Sequence, residues 1–101
     1  MVHGRNKYQS REQRQLVRDV LLREWDPIGI NTRPGFENEY DAYVGSVYLM
    51  LVDQDASSKE ISEYLFEIAT SRMGMSAPDL QERCVRAAEA LISMRPGFTS
   101  H

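Results

Sequence analysis

Residues 23–30 read Arg-Glu-Trp-Asp-Pro-Ile-Gly-Ile, and this stretch decides where the first helix ends and what closes the core. It contains Trp25, the only tryptophan of the chain. Pro27 disfavours helical backbone at Asp26, so a helix that precedes it is expected to end near Glu24. The two isoleucines face one way from an extended segment. We therefore interpret the stretch as a helix stop that fills the core, with the indole folded over the open end of a helical bundle.

Hydrophobic side chains recur at helical spacing on both sides of this stretch. The first helix is expected to begin at Ser10, with Gln13 placed to complete a capping box. The second is expected over about residues 37–53. Its C-terminal half is apolar nearly all round, which is typical of a helix at the centre of a bundle or one with a partner on its far side. The predicted core positions of these two helices are Leu16, Val17, Val20, Leu21, Tyr40, Tyr43, Val44, Val47, Met50 and Leu51.

Two further helices are predicted in the second half of the chain. Ser57 and Glu60 form the best capping box and mark the start of the third helix. Gly74 suits the end of that helix because glycine accepts a positive φ. The fourth helix is expected to start from a Ser76 cap and to end at Pro96. Its predicted core positions, with those of the third helix, are Ile61, Tyr64, Leu65, Ile68, Leu80, Cys84, Ala87, Ala88, Leu91 and Met94.

These patterns predict an all-α fold, a single-domain compact bundle of about four helices. A chain of 101 residues is long enough for one domain with one modest core. No segment alternates with a period of two, so we expect no sheet. The predicted organisation is a flexible arm over residues 1–9, the bundle domain over residues 10–95 and a C-terminal tail over residues 96–101.

Charge is distributed unevenly along the chain. The net charge is −3, but residues 1–24 carry six basic and three acidic side chains, whereas residues 25–70 carry two basic and nine acidic ones. The overall balance gives no general attraction to nucleic acid. The longest apolar run, residues 47–52, is too short to cross a membrane. Nucleic acid and membrane are therefore not expected as partners.

Residue types that perform catalysis are sparse. The two histidines, His3 and His101, stand at the two ends of the chain, so no predicted helix carries the usual general base. Cys84 is the single cysteine and lies on an apolar stripe, which we interpret as a buried, inert thiol that fits a cytoplasmic location. We therefore assign no catalytic residue, no metal ligand and no cofactor, and an enzyme is the less favoured interpretation.

One acidic group keeps an enzymatic alternative open. Glu37, Glu39 and Asp41 lie at the start of the second helix, where the helix dipole stabilises negative charge, and Asp26 lies at the start of the loop that precedes it. If the connecting loop folds back, their oxygens can form a pocket for a divalent metal or a small ligand in a hydrolase-like protein. Their spacing matches no metal-binding motif.

An ordered set of short motifs resembles a known family. The set consists of W-D-P-I-G at residues 25–29, E-Y-D at 39–41, A-S-x-x-E-I at 56–61, Y-L at 64–65 and M-G at 73–74. It resembles the YugE-like family of small, uncharacterised bacterial helical proteins, and this resemblance implies an all-α fold without bringing a reaction. Asp55 stands where the family pattern has glycine and Asn38 where it has an acid. Asp tolerates left-handed backbone, so the turn at residue 55 is expected to survive.

Three arginines share one face of the first helix. Arg11, Arg14 and Arg18 are spaced to grip phosphates. The face is short and has no interleaved aromatic side chain, so we expect it to be solvated or paired with the acidic middle of the chain.

The favoured function is a non-catalytic protein–protein interaction module that binds a protein partner or a second copy of itself. Leu22, Leu49, Val52, Phe66 and Met73 fall off the main apolar stripes, and those left exposed would form a contact patch. An alternative is an immunity-type inhibitor whose acidic middle region steers it onto a basic toxin. The candidate binding residues are Trp25, Asp26, Glu39, Asp41, Leu49, Val52 and Phe66.

Overall fold

A computed structural model describes residues 7–27, 29 and 40–99 of the chain, and the regular structure within them is entirely helical. The helices are α1 (Lys7–Val20), α2 (Asp41–Val52), α3 (Ser58–Glu67) and α4 (Leu80–Thr99). A π-helical turn, π1 (Leu21–Trp25), extends α1, and a second, π2 (Ile68–Arg72), extends α3. The prediction of an all-α bundle of about four helices is confirmed. The two isoleucines at 28 and 30 and the acids at 37 and 39 lie outside the described residues.

Helix α4 lies at the centre of the bundle. It contacts α1, π1, α2 and α3, while α2 and α3 have little contact with each other. Helix α2 is therefore at an edge of the bundle, although its apolar C-terminal half was also compatible with a central position. Its Leu49 side chain is 46% exposed.

The buried core follows the predicted stripes with few exceptions. Tyr48 was predicted to lie off the buried face but is buried. Leu16 was predicted to be in the core but is 48% exposed, and Tyr43, Met50, Tyr64 and Met94 are only partly buried. The predicted core residues that are buried are Val17, Val20, Leu21, Tyr40, Val44, Val47, Leu51, Ile61, Leu65, Ile68, Leu80, Cys84, Ala87, Ala88 and Leu91.

The local signals at both ends of the third helix are confirmed. The Glu60 backbone N–H donates to the Ser57 hydroxyl over 3.1 Å, and the Ser57 backbone N–H donates to the Glu60 carboxylate over 2.8 Å. This reciprocal pair is the predicted capping box. Gly74 has a φ of +66°, as its predicted position after the helix requires.

Three predicted helix ends are wrong. Helix α1 begins at Lys7, so Ser10 lies inside the helix and is not its cap. Helix α4 continues through Pro96 to Thr99 and begins at Leu80, four residues after the predicted cap. A proline inside a helix removes one backbone hydrogen bond. The burial of Phe98 against Tyr48, with ring centroids 5.9 Å apart, opposes that cost.

Arg95 of α4 makes hydrogen bonds to the turn that connects α2 and α3. Asp55 adopts a φ of +51°, which confirms that an aspartate supports left-handed backbone at this position. The Arg95 guanidinium donates to the carbonyl oxygens of Leu51, Ala56 and Met50 over 2.7, 2.5 and 3.3 Å. A helix end leaves its last carbonyl oxygens without donors inside the helix. Arg95 donates to two of these oxygens, on Met50 and Leu51, and to the Ala56 carbonyl in the turn.

Replacing Arg95 should destabilise the bundle more than replacing an exposed arginine. The side chain is 19% exposed, and its loss leaves part-buried carbonyl oxygens without their charged donor. Arg95→Ala is expected to lower the free energy of unfolding by about 2–3 kcal/mol in urea titrations. Arg72→Ala, at an exposed position, should change it by less than about 0.5 kcal/mol. Equal unfolding midpoints for the two variants would contradict the role given to Arg95.

Candidate functional site

Trp25, in the stretch that ends the first helix, is part of the hydrophobic core. Trp25 is fully buried, and its indole packs on Tyr40 and Tyr43 with ring centroids 5.1 and 6.3 Å away. It lies one turn after Leu21 on the buried side of π1. The interpretation of this residue as core filling is confirmed, and its indole is not accessible to a partner on the surface.

Asp26 closes the first helix and links it to the second. Its backbone N–H donates to the Leu21 carbonyl over 2.8 Å, and its φ of +27° turns the chain away from the helix. The Tyr40 hydroxyl donates to the Asp26 carboxylate over 2.9 Å. The helix thus ends at Trp25, one residue from the predicted position. The Asp26 carboxylate therefore has a structural role, since it accepts a hydrogen bond that joins the end of the first helix to the start of the second.

Asp41, the second candidate carboxylate, is held by a different partner. Two nitrogens of the Arg18 guanidinium donate to Asp41 Oδ1 over 2.6 and 3.2 Å, joining α1 to α2. This confirms that Arg18 pairs with the acidic middle of the chain. Glu39, the third member of the proposed pocket, lies outside the described residues. Among residues 7–27, 29 and 40–99, no cluster of acids, histidines and cysteines is arranged to hold a metal ion.

Cys84 lies in the core beside Trp25. It is fully buried, and burial raises the pKa of its thiol from the ordinary value of 9.0 to about 11. The Trp25 indole and Arg83 lower this pKa by less. The indole N–H does not reach hydrogen-bond geometry with any described group, so it remains a buried donor without a partner. The high pKa keeps the thiol protonated at neutral pH, which agrees with the predicted inert cysteine.

Among the residues that the structure describes, four large apolar side chains are exposed, one on each α-helix. Leu16, Leu49, Phe66 and Val85 are 48%, 46%, 39% and 38% exposed. Of the five side chains predicted to lie off the main stripes, Leu49 and Phe66 belong to this group. The remaining three, Leu22, Val52 and Met73, are partly buried against the core.

A hollow of about 460 Å³ at the α3–α4 seam contains Phe66. Two of its lining residues, Glu63 and Glu67, are acidic, and no lysine or arginine lines it. Gln81 of α4 also lines it. We call this surface the acidic seam; its lining residues are Ser62, Glu63, Phe66, Glu67, Thr70, Ser71 and Gln81.

A second concave surface, of about 350 Å³, lies between α1 and α2. We call it the arginine groove; its lining residues are Arg11, Arg14, Gln15, Arg18, Asp41, Val44 and Gly45. The sequence indicated that the arginines share a face but not that Gly45 lies opposite them. A Cβ atom built on Gly45 meets no atom within 4 Å, so the glycine borders open space.

The chain matches no family model, no curated protein and no solved structure. Within the described part of the chain, no helix is long and apolar enough to span a membrane. The acidic seam and the arginine groove each combine a concave surface with a local charge of one sign.

The buried thiol should make stability fall at alkaline pH. Because the folded thiol binds its proton more tightly than the unfolded one, its contribution is complete below pH 9.0 and is lost as the pH rises to about 11. The shift corresponds to about 2–3 kcal/mol. Between about pH 8 and about pH 11, we expect the wild type to lose that much more unfolding free energy than Cys84→Ala. Parallel pH profiles in urea titrations would contradict this expectation.

Gly45 should be a stability defect of α2. Glycine inside a helix is less stable than alanine by about 0.5–1 kcal/mol, and the open space accepts the extra methyl group. Gly45→Ala is expected to raise the free energy of unfolding by that amount in urea titrations. Ser46→Gly, at the next and exposed position, should lower it by about 0.5 kcal/mol. A destabilised Gly45→Ala variant would show that the space is needed by the fold.

Proposed function

We propose that this chain is a non-catalytic protein–protein interaction module that binds its partner at the acidic seam. The observation that carries the proposal is the exposure of Phe66 in a concave surface. Aromatic side chains that fit into or accept a partner's side chain dominate binding energy in many interfaces. Exposed apolar side chains that occur singly need no explanation, so the neighbourhood of Phe66 decides its significance.

A second exposed apolar side chain extends the seam along α4. Val85 follows Gln81 by four residues, which puts it on the same face of the helix one turn further on. Gln81 lines the hollow that contains Phe66. The seam therefore offers two large apolar side chains, one from each helix, as an anchor for a partner.

The charges around this anchor select the partner's chemistry. Glu63 and Glu67 line the hollow, and the exposed Glu89 follows Val85 by one turn of α4. A second copy of the chain would place carboxylates against carboxylates across a symmetric interface, which is unfavourable. A partner with an apolar side chain flanked by lysine or arginine satisfies both features of the seam.

An immunity-type inhibitor is a specific form of this proposal. A basic toxin, whose own active surface binds an anionic substrate, presents the charge that the acidic seam attracts. Membership of the YugE-like family and a cytoplasmic location are part of the proposal as well. They rest on the ordered motif set and on the single cysteine. The described residues offer no observation in favour of the divalent-metal alternative.

Quantitative affinity capture from a lysate of the source organism tests the proposal. The captured partner should bind Phe66→Ser about tenfold less than the wild type, because the apolar anchor is lost. Glu63→Gln/Glu67→Gln should weaken capture and reduce its salt dependence, because the attractive charges are removed. Circular dichroism confirms that each variant remains folded.

Leu49→Ser is the matched control. It removes an equally exposed apolar side chain from α2, at the opposite edge of the bundle, and should leave capture unchanged. Capture that is lost in Leu49→Ser and retained in Phe66→Ser would contradict the acidic seam as the contact surface. Self-association of the wild type through Phe66, seen in sedimentation, would contradict the basic partner.

A further inference from the structure

The arginine groove brings three guanidinium groups to one concave surface. Arg11, Arg14 and Arg18 occur at positions i, i+3 and i+7 of α1, so they share a face of the helix. The groove of about 350 Å³ is large enough to hold a phosphate or a pyrophosphate group.

Only one of these positive charges is neutralised by a carboxylate of the groove. Asp41 pairs with Arg18, which also contacts Gln15. Arg11 and Arg14 make no hydrogen bond or ion pair with the part of the chain that the structure describes. Three guanidinium groups and one carboxylate give the lining a net charge of +2, in a protein whose net charge is −3. The groove therefore has a local positive charge that attracts an anion, although the chain as a whole is acidic.

The wall opposite the arginines is kept open by a residue that weakens its own helix. Gly45 lies within α2, where alanine is the more stable choice, and its missing side chain leaves free space. Local departures from the stablest choice are expected where a site needs them. The open space at Gly45 and the lack of partners for Arg11 and Arg14 among the described residues are independent features, and each favours an anion in the groove.

We propose that the arginine groove binds a small phosphorylated anion, such as the terminal phosphate or diphosphate of a metabolite. Arg11 and Arg14 supply paired N–H donors to the phosphoryl oxygens, and Arg18, held in place by Asp41, adds positive charge at one end. A phosphoryl group matches two guanidinium groups better than a carboxylate does, since it has more acceptor oxygens and more charge. None of the described lining residues is aromatic, so they offer no ring on which a base could stack, which disfavours single-stranded nucleic acid.

Calorimetric titration of the whole chain with inorganic pyrophosphate tests this site. The wild type should bind it, and Arg11→Ala/Arg14→Ala should bind about tenfold or more weakly, because both donor groups are lost. Lys59→Ala/Arg72→Ala removes the same charge from α3 and π2, away from the groove, and should change the affinity less than about twofold. Both doubles change exposed residues and should remain folded.

Gly45→Leu tests the shape of the groove separately from its charge. Leucine forms helix better than glycine, so the variant should fold while its side chain fills the groove and abolishes pyrophosphate binding. Absence of binding to the wild type would overturn the proposal, as would equal weakening in the two charge-matched doubles. Binding of an oligonucleotide that depends on Arg11 and Arg14, without binding of pyrophosphate, would overturn it in favour of a nucleic-acid surface.

Discussion

The burial of Trp25 at the point where the first helix stops is the constraint on which the rest of the bundle depends. The indole lies between the end of α1, the two tyrosines at the start of α2 and Cys84 of α4. Its N–H group has no hydrogen-bond partner among the described residues, so volume and apolar contact must account for its position. Because one side chain fills the space shared by three helices, the end of α1 cannot shift without opening a cavity among them.

This arrangement determines which surfaces remain open. Helix α4 contacts α1, π1, α2 and α3 along its buried face, and Gln81, Val85 and Glu89 remain exposed on its other face. Helices α2 and α3 each have only part of their circumference covered, and each leaves a large apolar side chain, Leu49 or Phe66, in solvent. Charge distinguishes the two edges, since Phe66 is accompanied by carboxylates that line its hollow.

The cap of the third helix and the turn at Asp55 could be predicted because each depends on residues close in sequence. Ser57 and Glu60 cap a helix through each other, and Asp55 tolerates left-handed backbone on its own. The expected stop at Pro96 was wrong because Phe98 is buried through a ring contact with Tyr48, some fifty residues earlier in the chain. The apolar stripe also could not show that Leu16 stays exposed, since spacing gives the direction of a face and not how much of it a neighbouring helix covers. For the same reason Phe66 was identified as lying off the stripe, whereas the position of Gly45 opposite the arginines depends on how α1 and α2 pair.

The separation of charge along the sequence becomes a separation in space. The arginine groove lies between α1 and α2, and the acidic seam lies between α3 and α4. A helix is about 10 Å across with its side chains, and exposed charges are largely screened beyond about 8 Å at physiological ionic strength. The two surfaces therefore attract opposite charges without cancelling each other, although the chain as a whole is only weakly acidic. The net charge of the whole chain does not show that one surface is basic and the other acidic. This separation follows from the central position of α4.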